Sequence, residues 1–268
     1  MVTRNFGFTF GRTPEGRDSD YNALLKRLEE QNAPNVPDTI PNTSPVVTPD
    51  DNPVQITPTK GWLYVPSVGL EFAQALDGLG SNWYDAHKLV KSKNLIMPSP
   101  EETWALFFEA KANLAKPEFR KIYEYFIKKT PQNTWHGEWQ DAFFKKENKK
   151  MFMHRLKSFN TKGDPEFHKG TDITGTYQTT DGYSDISNRT KINSSGLCNT
   201  SDPRTNYVEG ENMYFWYPRN GQVAWFDADS DRAVFYCGWY PTDSYSSLGV
   251  RFARRVAPSM RQKTGGSK

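Results

Sequence analysis

The chain has 268 residues and a formal net charge of +3 at pH 7. This length can supply one large domain or two small ones with a sizeable core, and the small net charge does not indicate a nucleic-acid partner. Aromatic residues make up 14% of the chain and include 8 Trp, which is typical of a protein that packs or binds through rings. The 2 cysteines are too few for a disulfide-rich secreted scaffold, so we expect both to be free and buried.

The beginning of the sequence has no recognisable signal peptide. "MVTRNFGFTF" is followed at once by polar residues, and no apolar run approaches the ~18 residues that a membrane-spanning helix needs. We therefore expect a soluble protein that is synthesised in the cytoplasm and has no membrane span.

The first sixty positions differ in composition from the rest. Residues 20–31 place three leucines at helical spacing and predict one short amphipathic helix. Repeated prolines follow, and because they remove backbone donors and favour extended chain, they predict a linker or surface strap. We predict an N-terminal extension over residues 1–60, a globular domain over 61–258 and a flexible tail over 259–268.

The globular part is predicted to begin with a strand and two helices. "GWLYVPSVG" at 61–69 is typical of a short strand. Ser81 and Asn82 are candidate N-caps of a first helix, whose apolar face consists of Trp83, Ala86, His87 and Val90. Ser99, Pro100 and Glu102 form the cap, first position and capping box of a second helix. Its apolar residues are Trp104, Leu106, Phe107 and Phe108.

The middle of the chain is harder to assign. We predict further helices or strand–helix pieces at residues 116–130 and 137–156. The run "KKENKK" within 137–156 is interpreted as the solvent-exposed face of a helix. Residues 160–204 are rich in Gly, Thr, Ser, Asp and Asn and predict long loops. Short β segments separated by turns follow, so the element order predicts an α+β fold with short antiparallel strands.

Motifs for catalysis or metal binding are not found. The four histidines, His87, His136, His154 and His168, lack metal-ligand spacing. The acidic stretch from Asp227 to Asp231 begins like a calcium loop but lacks its glycine and its bidentate glutamate, so a solvated turn is preferred. In the last predicted strand, at 248–256, arginines are interspersed with apolar residues, as is usual for a strand with one solvent-facing side. This pattern does not indicate a nucleic-acid groove. We expect no cofactor, no metal and no nucleic-acid partner.

One stretch near the end uses a restricted set of residue types. The 25 positions from Val223 to Ser247 contain no Lys, Glu, Gln, Met, Asn or His. Surface loops favour Asp, Ser, Gly and Thr because these residues satisfy turns, but loops normally contain Lys, Glu and Asn as well. Tyrosines mixed with short polar residues are typical of a binding surface, in which rigid rings supply contact area.

The same stretch carries a resemblance to a known fold. Trp225 opens it, Arg232 follows a polar loop, and the strand Leu248–Gly249–Val250–Arg251 closes it. This layout resembles the C-terminal half of the C-type-lectin fold in its formylglycine-generating-enzyme-like branch. Within that branch it is most similar to the variable proteins of diversity-generating retroelements. In that family, randomised adenines at Asn codons yield Asp, Ser, Tyr, Phe, Gly, Ala or Thr but not Lys, Glu, Gln, Met or Trp.

The resemblance implies a non-catalytic, receptor-type protein with a variable region at about 223–255. Its partner is expected to be a protein ligand on a host or other cell surface, with residues 1–60 attached to a virion or surface display partner. The expected location is therefore a virion or cell surface. Residues predicted to be structural are Trp225, Arg232, Phe235, Cys237, Pro241, Gly249 and Arg251. Residues predicted to face solvent and bind ligand are Phe226, Asp227, Ala228, Asp229, Ser230, Asp231, Tyr236, Gly238, Tyr240, Thr242, Asp243, Ser244, Tyr245, Ser246 and Ser247.

Two alternatives remain open from the sequence. The first is an oxidase of the formylglycine-generating type that acts through Cys237, which requires a deep pocket and a low-pKa or metal-bound thiolate. The second is a structural virion protein whose polar C-terminal loops bind nothing specific.

Overall fold

A computed structural model describes residues 60–127, 136–228 and 231–256. Within these residues the chain forms a mixed α+β fold, as predicted. The helices are α1 (Trp83–Ser92), α2 (Pro100–Ala112) and α3 (Pro117–Ile127), with a 3₁₀ turn at Arg189–Lys191. The strands are β1 (Trp62–Val65), β2 (Leu70–Asp77), β3 (His136–Glu147), β4 (Lys150–His154), β5 (Leu156–Phe159), β6 (Pro165–Phe167), β7 (Thr171–Asp172), β8 (Gly182–Asp185), β9 (Asn212–Trp216), β10 (Gln222–Ala228), β11 (Ala233–Trp239) and β12 (Leu248–Arg255).

Several predicted features lie outside the described residues. These are the helix at 20–31, the proline-rich linker, the tail over 259–268 and the positions Asp229 and Ser230. The predicted first strand at 61–69 is confirmed as β1. None of the helices in the described ranges is both long and apolar enough to cross a bilayer.

The two predicted helix starts are confirmed by their capping geometry. The Asn82 side chain accepts a hydrogen bond from the Asp85 amide at 2.9 Å, which satisfies a free donor in the first turn of α1. At α2, Ser99 Oγ accepts from the Glu102 amide at 3.3 Å, and Glu102 Oε2 accepts from the Ser99 amide at 2.7 Å. This is the predicted capping box, with Pro100 at the start of the helix.

The segment 137–156 is a β-hairpin, so the helical interpretation of "KKENKK" is wrong. The run spans the end of β3, a two-residue turn and the start of β4. Asn148 and Lys149 have φ of 47° and 68° and form that turn, a left-handed pair that matches the twist of a hairpin. β3 is buried on both faces from Gly137 to Lys145, so its apolar residues follow no single period.

One large sheet organises the domain. Its strand order is β1-β2-β12-β3-β10-β11-β9-β8, with β4 and β7 continuing from the other end of β3, while β5 and β6 form a separate ribbon. β12 pairs antiparallel with β2, and Arg255 lies opposite Leu70. β12, at the end of the described domain, therefore pairs with β2, near its beginning. All three helices lie between these two strands along the chain.

Helices α2 and α3 cover one face of this sheet and form the main core with it. Phe226 on β10 stacks on Phe235 at a ring distance of 4.4 Å, and Trp104 of α2 meets the Phe226 ring edge-on at 5.0 Å. Phe126 of α3 contacts Phe226 at 5.6 Å. Burial of these rings fixes the orientation of β10 and β11, and it decides which of their side chains can reach solvent.

The predicted loop region 160–204 is more ordered than its composition indicates. It contains β6, β7 and β8, and four of its apolar residues are fully buried: Ile173, Ile186, Leu197 and Cys198. These apolar residues anchor the loops onto the core. The region was assigned to loops because its buried residues are isolated among turn-forming ones, so no periodicity was visible.

Candidate ligand-binding surface

The sheet face opposite α2 and α3 carries a row of aromatic rings. Trp139, Trp225, Tyr236 and Trp216 lie in register across β3, β10, β11 and β9, and we call them the aromatic row. Their neighbouring ring centroids are 5.0, 5.4 and 5.5 Å apart in that order. Trp139 and Trp225 are buried, whereas Tyr236 and Trp216 are partly exposed. The row therefore passes from the interior to the surface.

The loop at 240–247 between β11 and β12 covers the buried part of this row. β11 ends with Trp239 opposite Val223, and β12 begins next to Gly137, which is the partner of Asp227 on β10. The loop must therefore cross from one end of β10 to the other. Tyr245 lies in the loop and contacts the Trp225 ring at 5.6 Å.

The backbone of this loop is held at both ends by hydrogen bonds that do not involve its side chains. The Pro241 carbonyl accepts from the Trp83 amide at the start of α1 at 3.0 Å, and the Ser247 carbonyl accepts from the Gly137 amide at 3.2 Å. Thr242, Ser244 and Ser246 are exposed, while Tyr240, Asp243, Tyr245 and Ser247 are partly exposed. These backbone bonds do not depend on the side chains that project from the loop.

Two arginines extend the ring cluster towards β9. The Arg219 guanidinium lies 5.2 Å from the Trp216 ring and pairs with Asp181 at 2.6 Å. Arg232, predicted to be structural, lies 4.1 Å from the Tyr214 ring and is partly exposed. Trp216 Nε1 is buried and has no hydrogen-bond partner among the described residues.

The sequence interpretation missed this part of the surface. It includes residues 212–218 only among the short β segments, although the alternation of Tyr214 and Trp216 with the buried Met213 and Phe215 is a signal for two different faces. It also leaves Trp239 out of the ligand-binding residues, whereas this ring is partly exposed and contacts Tyr245 at 5.5 Å.

Three predicted ligand-binding residues do not face solvent. Phe226, Asp227 and Ala228 are at most 5% exposed, so their assignment to a solvent-facing patch is wrong. They lie on β10, which is a central strand between β3 and β11, with α2 and α3 on one face and the aromatic row on the other. A strand in that position buries alternate residues in both directions.

The other described candidates retain access to solvent. Asp231, Thr242, Ser244 and Ser246 are exposed, and six more are partly exposed: Tyr236, Gly238, Tyr240, Asp243, Tyr245 and Ser247. Most of the residues predicted to be structural are buried, namely Trp225, Phe235, Cys237, Pro241, Gly249 and Arg251.

Both cysteines are free and buried, as expected. Burial raises the pKa of Cys198 to about 12. Burial, followed by the nearby Cys198 thiol, raises the pKa of Cys237 well above its usual value. Each sulfur is therefore a neutral thiol at pH 7, whereas nucleophilic or metal-binding cysteine requires the thiolate.

Within residues 60–127, 136–228 and 231–256, no three His, Cys, Asp or Glu side chains form a group that could hold a metal ion.

Comparisons with known proteins do not add to this description. The chain has no significant match to a protein-family model, a curated protein or a solved structure. Its function is therefore inferred from the sequence pattern and from the geometry of the ring-bearing surface.

Proposed function

We propose that this protein is a non-catalytic, receptor-type ligand binder with a C-type-lectin-like fold. Its recognition surface consists of the partly exposed rings Trp216, Tyr236 and Trp239 together with the side chains of the loop at 240–247. The observation that carries this proposal is the loop itself. Its backbone is held by α1 and β3, while all of its side chains except that of Pro241 are exposed or partly exposed.

The chemistry of the surface supports protein recognition. Tyr240 and Tyr245 are large amphipathic rings with few rotatable bonds, so they can bury contact area at a small entropic cost. Thr242 and Ser244 lie between them in sequence, are exposed, and offer hydroxyl donors and acceptors of short reach. Rigid rings among adaptable polar residues are typical of paratopes, in which aromatic anchors supply most of the binding energy.

The order of elements supports the C-type-lectin-like assignment. Two strands and three helices open the domain, the β3–β4 hairpin and loop-rich chain follow, and shorter strands complete it. The Gly249–Arg251 segment lies on β12, which closes against β2. Gly249 sits so near the Asp77 carbonyl that an added Cβ would lie 2.7 Å from it, so close packing explains why glycine occupies this position.

Diversification by a retroelement is part of the same proposal. The exposed positions of the restricted stretch are the ones where substitution costs the fold least, because burial rather than loop composition determines most of the stability. We place Phe226, Asp227 and Ala228 in the framework and outside the diversified surface. The ligand is a protein on a host or other cell surface, and residues 1–60 connect the domain to its display partner on a virion or cell.

An oxidase reaction at Cys237 has less support. The sulfur is wholly buried and its raised pKa keeps it protonated, whereas such a reaction requires an accessible thiolate.

The neighbouring DNA tests diversification directly. We expect a near-copy of the codons for residues 223–255 that differs chiefly where the copy has adenine, beside a reverse-transcriptase gene. If neither is present in the native genome, diversification is rejected while the binding proposal stands.

A display library tests the recognition surface. Six loop positions are randomised: Tyr240, Thr242, Asp243, Ser244, Tyr245 and Ser246. The matched control library randomises six exposed positions elsewhere: Asp85, Lys88, Ser92, Arg120, Lys121 and Lys146. Selection against purified serum albumin should recover binders with Kd on the order of micromolar or tighter from the first library only. Equal yields from both libraries, or none from the first, would contradict the proposal.

A further inference from the structure

A concave site lies outside the recognition surface. It is a cleft of about 310 Å³ between the C-terminal half of α1, the chain that follows it, the start of β5 and the end of β12. This volume is at the lower end of the range for small-molecule sites. The lining residues are His87, Val90, Lys91, Leu95, Ile96, Met97, Asp141, Arg155, Leu156, Lys157, His168 and Arg255.

Three cations lie on the exposed rim of this cleft. Lys91, Lys157 and Arg255 are all exposed, and none of them forms an ion pair with a carboxylate of the described residues. The Lys91 ammonium donates a hydrogen bond to the Lys157 carbonyl at 3.2 Å. That contact positions Lys91 at the rim without neutralising it.

The carboxylate inside the cleft is already occupied by protein groups. Asp141 accepts from Arg155 Nε at 2.8 Å and from the Leu156 amide at 2.9 Å, and His87 Nε2 lies 3.4 Å away. Burial alone would raise the pKa of Asp141, but His87, Arg155 and the Leu156 amide together hold it below its usual value. Arg155 also pairs with Glu102 at 3.2 Å. Arg155 thus engages both Asp141 and Glu102, whereas the three rim cations have no carboxylate partner among the described residues.

The floor of the cleft is apolar. Val90 and Met97 are buried there, and Leu95, Ile96 and Leu156 are partly buried. A ligand that satisfies both regions has a negatively charged group at the rim and a short hydrocarbon portion over the floor. Inorganic anions satisfy only the rim, and neutral apolar molecules satisfy only the floor.

We propose that this cleft is a binding site for a small organic anion. Lys91, Lys157 and Arg255 hold its carboxylate or phosphate group, and the apolar floor contacts its hydrocarbon portion. Charge-assisted hydrogen bonds from Lys and Arg to such groups are short and strong. None of the lining residues belongs to the recognition surface, so the site is independent of the function proposed above.

Calorimetric titration of the full chain at low salt tests the site. The probes are hexanoate, hexyl phosphate and the neutral isostere hexanamide. We expect hexanoate, hexyl phosphate or both to bind with a Kd on the order of 1 mM or tighter, and hexanamide to bind at least about tenfold more weakly. The stronger of the two anions identifies the charged group that the site prefers.

Substitution of the rim cations locates the binding. The triple variant Lys91→Gln, Lys157→Gln, Arg255→Gln should weaken anion binding at least about tenfold. Lys162→Gln removes an exposed lysine that does not line the cleft and should leave binding unchanged. All four side chains are exposed, so the variants should fold, which circular dichroism verifies. The proposal is overturned if neither anion binds up to roughly 50 mM, if hexanamide binds equally well, or if the triple variant binds as the parent does.

Discussion

Phe226 and Tyr240 occupy different environments although both lie in the stretch with restricted composition. Phe226 stacks on Phe235 with an interplanar angle of 7° and is 2% exposed. Tyr240 follows β11 and is partly exposed. The same class of side chain is therefore buried in the core at one position and partly open to solvent at the other.

Truncation of these two rings should have unequal effects on stability. We expect Phe226→Ala to lower the free energy of unfolding by about 3–5 kcal/mol, because it removes buried contacts and leaves a cavity. Tyr240→Ala should lower it by about 1 kcal/mol or less. Guanidinium denaturation followed by tryptophan fluorescence measures both. Equal losses would contradict the separation of framework from recognition surface.

Arg251 is a second residue whose surroundings determine its role. It is 1% exposed, and its guanidinium pairs with Glu138 at 2.8 Å. It also donates to the carbonyls of Ala73 and Gln74 and lies 5.0 Å from the Tyr125 ring. β12 is thereby joined to both β2 and β3.

Removal of one partner of this buried pair should be costly. Arg251→Met should lower the free energy of unfolding by about 3–5 kcal/mol, because Glu138 is left buried and uncompensated. Adding Glu138→Met should recover a substantial part of that loss. A double-mutant cycle in urea provides the comparison, and a loss below about 1 kcal/mol for Arg251→Met would contradict a tightly coupled pair.

At the level of elements, the β3–β4 hairpin depends on its two-residue turn. Lys149 has φ of 68°, a left-handed conformation that disfavours side chains with a Cβ. Asn148 tolerates such a conformation better than most residues. The pair matches the turn type that favours Asn-Gly, with lysine in place of the glycine.

Glycine at this turn position should stabilise the protein. We expect Lys149→Gly to raise the free energy of unfolding by about 0.5–1 kcal/mol, because it relieves the left-handed strain. Lys146→Gly lies in the neighbouring strand and should lower it by a similar amount, because glycine is unfavourable in strands. Thermal unfolding by circular dichroism measures both. A decrease for Lys149→Gly would show that the turn differs from the one described.

For the whole molecule, buried thiols and a buried tyrosine predict that the free energy of unfolding falls at alkaline pH. Burial raises the pKa of Cys198 to about 12 and raises those of Cys237 and Tyr84 as well. The folded state therefore keeps these protons at a pH where the unfolded chain, with usual values of 9.0 for Cys and 10.0 for Tyr, has begun to release them.

The direction of the pH dependence follows from proton linkage. Since the unfolded state binds fewer protons above pH ~9, the free energy of unfolding should fall as pH rises through that region and remain unaffected by these groups below it. Cys198→Ala with Cys237→Ala should make the fall shallower. Urea denaturation between about pH 7 and 10.5 measures it. The same slope in both proteins would mean that the thiols are not protected from ionisation.

Local signals explain which elements were predictable. The starts of α1 and α2 follow from Asn82 and Ser99, because capping acts between residues only three apart. β3 was not predictable as a strand, because covering both faces with distant segments removes the alternation that identifies strands. The hairpin turn was missed because Asn148 is followed by lysine, whereas the usual signal is Asn-Gly.

The candidate surface was predictable in part for a related reason. Composition identified the tyrosines and short polar residues of the 240–247 loop as suited to contact a partner. It could not separate them from Phe226 to Ala228, because exposure depends on which strands flank β10. It also missed Trp216, which reaches the surface only because β9 pairs in register with β11.

The linear sequence by itself determined the mixed α+β class, the helix starts and the presence of a stretch rich in rings and short polar residues. These properties depend on residue types and on neighbours a few positions away. Tertiary structure alone decided which rings are buried, where the 240–247 loop crosses the sheet, and that Lys91, Lys157 and Arg255 share one cleft. Burial, register and charge proximity arise from contacts between segments far apart in the chain, and spacing along the chain does not encode those distances.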